Sequence, residues 1–86
     1  MIRYTVLWRT EVENELATLW SNASDRQSIT AAANTIDEEL RHDAPHKGTA
    51  LSEGLRLLKV PPLVAYFHID EVDRKVFVEA IRLRGD

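Results

Sequence analysis

At 86 residues, 44% hydrophobic and 29% charged, with three Gly and three Pro, the chain is one small domain and neither collagenous nor Gly/Pro-rich and disordered. It has no cysteine, which excludes disulfides, thiolate-ligated zinc and thiol catalysis. Its 11 Lys and Arg against 14 Asp and Glu leave a formal charge of −3, without the basic surplus that supplies most of a dedicated nucleic-acid binder's affinity.

The acids concentrate early: residues 1–50 carry five basic and eight acidic side chains, and the remainder carries six of each. The longest apolar stretch, Val60 to Phe67, is far short of the roughly 20 residues of a membrane-spanning helix. Met1-Ile2-Arg3-Tyr4-Thr5 leads straight into a strand-like pattern without a secretory signal. The expectation is a cytoplasmic, single-domain protein over residues 1–86 that does not engage a membrane.

Residues 3–9 are rich in β-branched and aromatic types, and Tyr4, Val6 and Trp8 share one face of a strand. Thr10 and Glu13 have capping-box spacing, and Val12, Leu16, Leu19 and Trp20 form the apolar stripe of a helix ending near Asn22. Ser24 and Gln27 repeat that spacing ahead of a second stripe, Ile29, Ala32, Ala33, Ile36 and Leu40. This helix ends near His42, because Pro45 steers the residue before it away from helical geometry. Two amphipathic helices with a short link predict an antiparallel helical hairpin. Residues 44–54 read as a loop punctuated by Gly48 and Gly54.

Three strands complete the chain: Leu55 to Lys59, Leu63 to Ile69 and Arg74 to Leu83. Val60-Pro61-Pro62 makes one corner and Asp70-Glu71-Val72-Asp73 the other. In the last strand, alternation puts Val76, Val78 and Ala80 on one face and Phe77, Glu79 and Ile81 on the other. The fold class is α+β in the order β-α-α-β-β-β, with a mostly antiparallel four-stranded sheet whose last three strands form a meander. Two helices cover only one sheet face. The other face is left for solvent, a partner or a second copy in a homodimer.

Several strings resemble the RelE/ParE superfamily of bacterial toxins. Tyr4-Thr5-Val6-Leu7-Trp8 leads into Glu13-Asn14-Glu15-Leu16-Ala17, as in the family's first strand and helix. Arg26 to Thr30 and Ile36 to Leu40 resemble its second helix. Gly48 and Glu53-Gly54-Leu55-Arg56 resemble its entry into the second strand, and Leu63 to Phe67 with Arg74 to Val78 its hairpin. The resemblance implies a helical hairpin on one sheet face, with the first strand parallel to the last. It implies a bacterial, plasmid-stabilisation type of role as the toxin of a type II toxin–antitoxin pair, neutralised by a small cognate antitoxin. One branch of the family cuts messenger RNA on the ribosome with basic and polar side chains and no metal or other cofactor. The other branch binds DNA gyrase and leaves RNA intact.

RNA cleavage without a metal needs a proton acceptor, a proton donor and cations for the phosphate. The resemblance puts Arg56 and Arg84 at family positions for phosphate contact. Arg56 alternates with Leu55 and Leu57 and is expected off the core face. His68 is the candidate proton shuttle, because imidazole titrates near neutral pH. It shares strand parity with Tyr66. Arg56, His68 and Arg84 are therefore the catalytic candidates, and Lys59, Tyr66 and Arg82 the substrate-binding ones. Two departures favour the alternative, an inactive or gyrase-directed binding protein on the same fold. Pro61-Pro62-Leu63-Val64 lacks the Arg that cutting members carry there, and Arg84-Gly85-Asp86 is not followed by their terminal Tyr or His. His42 and His46 flank the second helix end and form no metal-binding motif with His68. Trp8 and Trp20 are expected in the core.

Overall fold

The computed structural model describes residues 3–84, so the readings of the chain's first two residues and of Gly85-Asp86 lie outside the described residues. The elements are β1 (Thr5–Trp8), α1 (Thr10–Asn22), α2 (Arg26–Arg41), a single 3-10 turn (Ala44–His46), β2 (Thr49–Ser52), β3 (Leu55–Val60), β4 (Leu63–Asp70) and β5 (Lys75–Leu83). They form one mixed sheet in the order β1-β5-β4-β3-β2. β1 runs parallel to β5, Val6 opposite Val76, and the other pairings are antiparallel.

The sheet thus has five strands and not four. Thr49–Ser52 pairs with β3 across Glu53 and Gly54, whose φ values of 48° and 83° match the two left-handed residues of a type I′ hairpin. All four residues of β2 are exposed, so it shows no in–out alternation and reads as loop.

Both helix starts differ from expectation. Arg9 is the N-cap of α1, so Thr10 is already helical and no side chain caps this end. At α2 the cap is Asp25, not Ser24: its carboxylate accepts from the Ser28 amide at 3.1 Å and the Ser28 hydroxyl at 2.6 Å. An ionised carboxylate is a stronger acceptor than a hydroxyl, and it lies at the positive end of the helix dipole.

The core lies between the helices and one face of the sheet. Tyr4 and Val6 come from the first strand region, Leu63, Ala65 and Phe67 from β4, and Val76, Val78 and Ile81 from β5. The helices add Val12, Ile29, Ala32, Ile36 and Leu40. Ile81, and not Ala80, follows Val78 into the core because β5 carries a bulge. Tyr66 pairs with Ala80 while Phe67 pairs with Val78, which leaves Glu79 as the extra residue. The inserted residue inverts the alternation expected beyond it.

Trp8 is half-buried against the core, and its indole N–H donates to Asp37 Oδ1 at 3.0 Å. Trp20 departs from the expected core placement: it is 42% exposed, and the Arg26 guanidinium lies 4.6 Å from its ring centre. With Leu16, Ile29 and Ala33 it lines a groove of about 560 Å³ between α1 and α2.

Candidate functional site

The face away from the helices carries the polar constellation. Register assigns its members. His68 pairs with Leu55 and Phe77, Tyr66 with Leu57 and Ala80, and Val64 with Lys59 and Arg82. Leu7 lies opposite Phe77 in the parallel pair, so Arg9, two residues on, falls beside Glu79.

At the centre is Glu79. Arg9 grips its carboxylate with two parallel hydrogen bonds, Nε to Oε1 at 2.7 Å and Nη2 to Oε2 at 2.9 Å. On the other side, His68 Nδ1 lies 2.6 Å from Oε2. The His68 ring stacks on Phe77 with centroids 5.1 Å apart, and the Arg9 guanidinium sits 5.0 Å from the same Phe77 ring centre. The hydrogen bond from Arg9 holds the Glu79 carboxyl below its ordinary pKa of 4.5 against the opposing effect of partial burial, with the nearby His68 acting in the same direction. The side chains of Arg9, Glu79 and His68 are 45%, 28% and 39% exposed, so the cluster is within reach of solvent and of a ligand.

The sequence candidates do not all meet here. His68 and Tyr66 share the open face, as parity predicted, and Lys59 is exposed toward one end of it. Arg56 corrects the expectation. It pairs with Phe67 and shares the helix-side face with Leu58 and Val60. There its guanidinium donates from Nε to the Lys47 carbonyl at 3.0 Å and from Nη2 to the Gly48 carbonyl at 3.3 Å. Both bonds tie the loop before β2 to the sheet, and Arg56 does not stand beside His68. Arg82 reaches round the edge of β5 beyond the end of β1, donating to Glu15 Oε1 at 2.7 Å. Arg84 lies past the end of β5, with its amide donating to the Pro62 carbonyl at 2.7 Å. It is seven residues along from the partner of His68, roughly 20 Å in an extended strand.

Arg9 and Glu79 are the members that sequence reasoning missed. They are far apart in the chain, and the parallel β1–β5 pair brings them together. Among the described residues, no group of three His, Cys, Asp or Glu is placed to hold a metal ion. His42 and His46 each pair locally, with Glu38 at 3.5 Å and Asp43 at 2.9 Å. No helix among the described residues is long and apolar enough to cross a membrane.

Solved structures share the architecture end to end. A chain of the toxin–antitoxin complex RelBE2 from Mycobacterium tuberculosis superposes with a TM-score of 0.82 at 19% identity, over 100% of this chain and 97% of that one. A chain of the chromosomal ParDE toxin–antitoxin system from P. aeruginosa gives 0.71 at 16% identity, over 96% and 98%. The fold is that of the RelE/ParE toxin superfamily. The conserved hypothetical protein HP0892 from Helicobacter pylori superposes with a TM-score of 0.61 at 15% identity over 93% of each chain. No protein-family model and no curated protein sequence matches this chain. Within the RelE/ParE fold, the parallel β1–β5 pairing assembles the Arg9–Glu79–His68 cluster, and the helical hairpin leaves that sheet face open.

Proposed function

We propose that this chain is the toxin-like component of a type II toxin–antitoxin pair, neutralised by a small antitoxin, with the open sheet face as its effector surface. The observation that carries this reading is full-length likeness to chains of two toxin–antitoxin complexes. The activity that the face supports is metal-independent cleavage of messenger RNA on the ribosome. His68 would take the proton of a ribose 2′-OH as the 2′ oxygen forms its bond to phosphorus. The bond from phosphorus to the 5′ oxygen breaks, and that oxygen takes a proton from solvent or from the Tyr66 hydroxyl. Lys59 would hold a flanking phosphate, and Tyr66 would offer a ring for a base. The products are a 2′,3′-cyclic phosphate and a 5′-OH.

A second reading keeps the fold and the antitoxin but assigns no cleavage: a binding protein directed at gyrase or another target. Two observations favour it. Arg56 and Arg84 are not assembled with His68, and Leu7, Leu55 and Leu57 make part of the open face apolar.

The discriminating experiment is an in vitro reaction with programmed ribosomes. The wild type is expected to fragment the message, and His68→Gln to slow fragmentation by about a hundredfold, the lower range for losing a proton-transfer group. Intact message with folded wild-type protein, together with a gyrase supercoiling defect, would transfer the assignment to the binding reading.

A further inference from the structure

We propose that Glu79 is a positioning residue that fixes His68 in the Nδ1–H tautomer, so that Nε2 is the bare, proton-accepting nitrogen on the open face. The proposal deepens the cleavage reading and rests on it for its functional meaning, but the tautomer is measurable without any activity.

His68 Nδ1 and Glu79 Oε2 are 2.6 Å apart. A carboxylate oxygen carries only lone pairs, and an unprotonated ring nitrogen would add another. Two bare acceptors would repel at that separation, so the ion-pair contact favours the proton on Nδ1. Arg9 keeps the carboxylate in place by occupying both of its oxygens, at 2.7 and 2.9 Å. The same grip favours the ionised form of Glu79. Stacking on Phe77 limits rotation of the imidazole, and the interplanar angle is 25°. Among the described residues, nothing hydrogen-bonds Nε2. An imidazole with one nitrogen tied to a carboxylate and the other bare is arranged for general-base work at the bare nitrogen.

The backbone shows why Glu79 can do this. The bulge in β5 inserts Glu79 between the Val78 and Ala80 ladder positions. Alternation with Phe77 puts Glu79 on the face that carries His68, and the bulge lets Val78 and Ile81 both remain in the core. Arg9 arrives from the parallel neighbour, immediately before α1 begins.

The test is nitrogen-15 NMR of histidine-labelled protein, with the His68 signals assigned by their loss in His68→Gln. In the wild type, neutral His68 is expected to show protonated Nδ1 and bare Nε2. Glu79→Ala is expected to reverse this, making Nε2–H predominate, as nothing then holds the proton on Nδ1. Glu79→Gln serves as the second variant, because its amide oxygen still accepts from Nδ1 and should retain the wild-type tautomer. An Nε2–H tautomer in the wild type, or no change in folded Glu79→Ala, overturns the proposal. The expected tautomers in a protein that cuts no RNA would overturn the cleavage reading and leave the assignment of Glu79 standing.

Discussion

Phe67→Ala is expected to lower the free energy of unfolding by about 3–5 kcal/mol, the range for removing a fully buried aromatic ring. Phe67 has no exposed surface. It sits on β4, the middle strand of five, and its backbone pairs with Val78 on one side and Arg56 on the other. Its ring belongs to the buried cluster that includes Ile36 and Leu40 of α2, so the cavity would open where sheet and helices meet. Rigid strands on both sides limit how far the site can collapse, which places the expected loss in the upper part of the range. A domain of this size has about 5–15 kcal/mol of stability in total, so the loss is a large fraction. Urea denaturation followed by tryptophan fluorescence should show a lower midpoint with an unchanged slope. Tyr66→Ala, one residue away on the open face, should cost much less, and an equal loss would contradict the assignment of faces.

The second large effect is at Gly48. Its φ is +67°, and an added Cβ would lie 2.1 Å from the Leu57 carbonyl oxygen, a backbone atom of β3. Gly48→Ala therefore combines left-handed backbone strain of about 1–2 kcal/mol with a clash that only a shift of β3 can relieve. The Arg56 guanidinium bonds to the Gly48 carbonyl from the same sheet, so the loop cannot move away without breaking that bond as well. A total of about 3 kcal/mol or more is expected on these grounds. Gly54 supplies the control. Its φ is +83°, but an added Cβ would meet nothing within 4 Å. Gly54→Ala should cost only the backbone strain, about 1 kcal/mol. Equal losses at the two positions in thermal or urea unfolding would show that close approach to β3 is not what Gly48 provides.

These two positions also show what was legible in the sequence. The helical hairpin was, because Val12, Leu16 and Leu19 and then Ile29, Ala32, Ile36 and Leu40 recur at helical spacing with a polar remainder. The parallel first strand came from the family resemblance and stands in the structure. β2 was not legible: Thr49-Ala50-Leu51-Ser52 has little β-branched or aromatic content and no buried side. Arg56 was placed on the wrong face because Leu55, Leu57 and Leu58 put leucines at both parities of one strand. Only pairing with Phe67 decides which parity faces the helices. The β5 bulge was equally hidden, since a single inserted residue leaves no mark in a run of alternating apolar side chains.

The site was half legible for the same physical reason. His68 and Tyr66 lie on one strand, and a period of two is enough to place them together. Arg9 follows β1 and Glu79 lies on β5, at opposite ends of the chain. Their encounter depends on a parallel register, which one sequence does not reveal. Family position points to Arg56 and Arg84, and in the structure Arg56 ties a loop to the sheet.

The measurement that tests the central claim most directly is growth of a bacterial host after induced expression, comparing the wild type with a His68→Gln, Lys59→Ala double variant. Both substitutions lie on the open face, outside the core. The wild type is expected to arrest growth and the double variant, folded and present at the same level, is not. Undisturbed growth with abundant, folded wild type would contradict the toxin-like role. Equal arrest by both proteins would contradict the assignment of that role to the open sheet face.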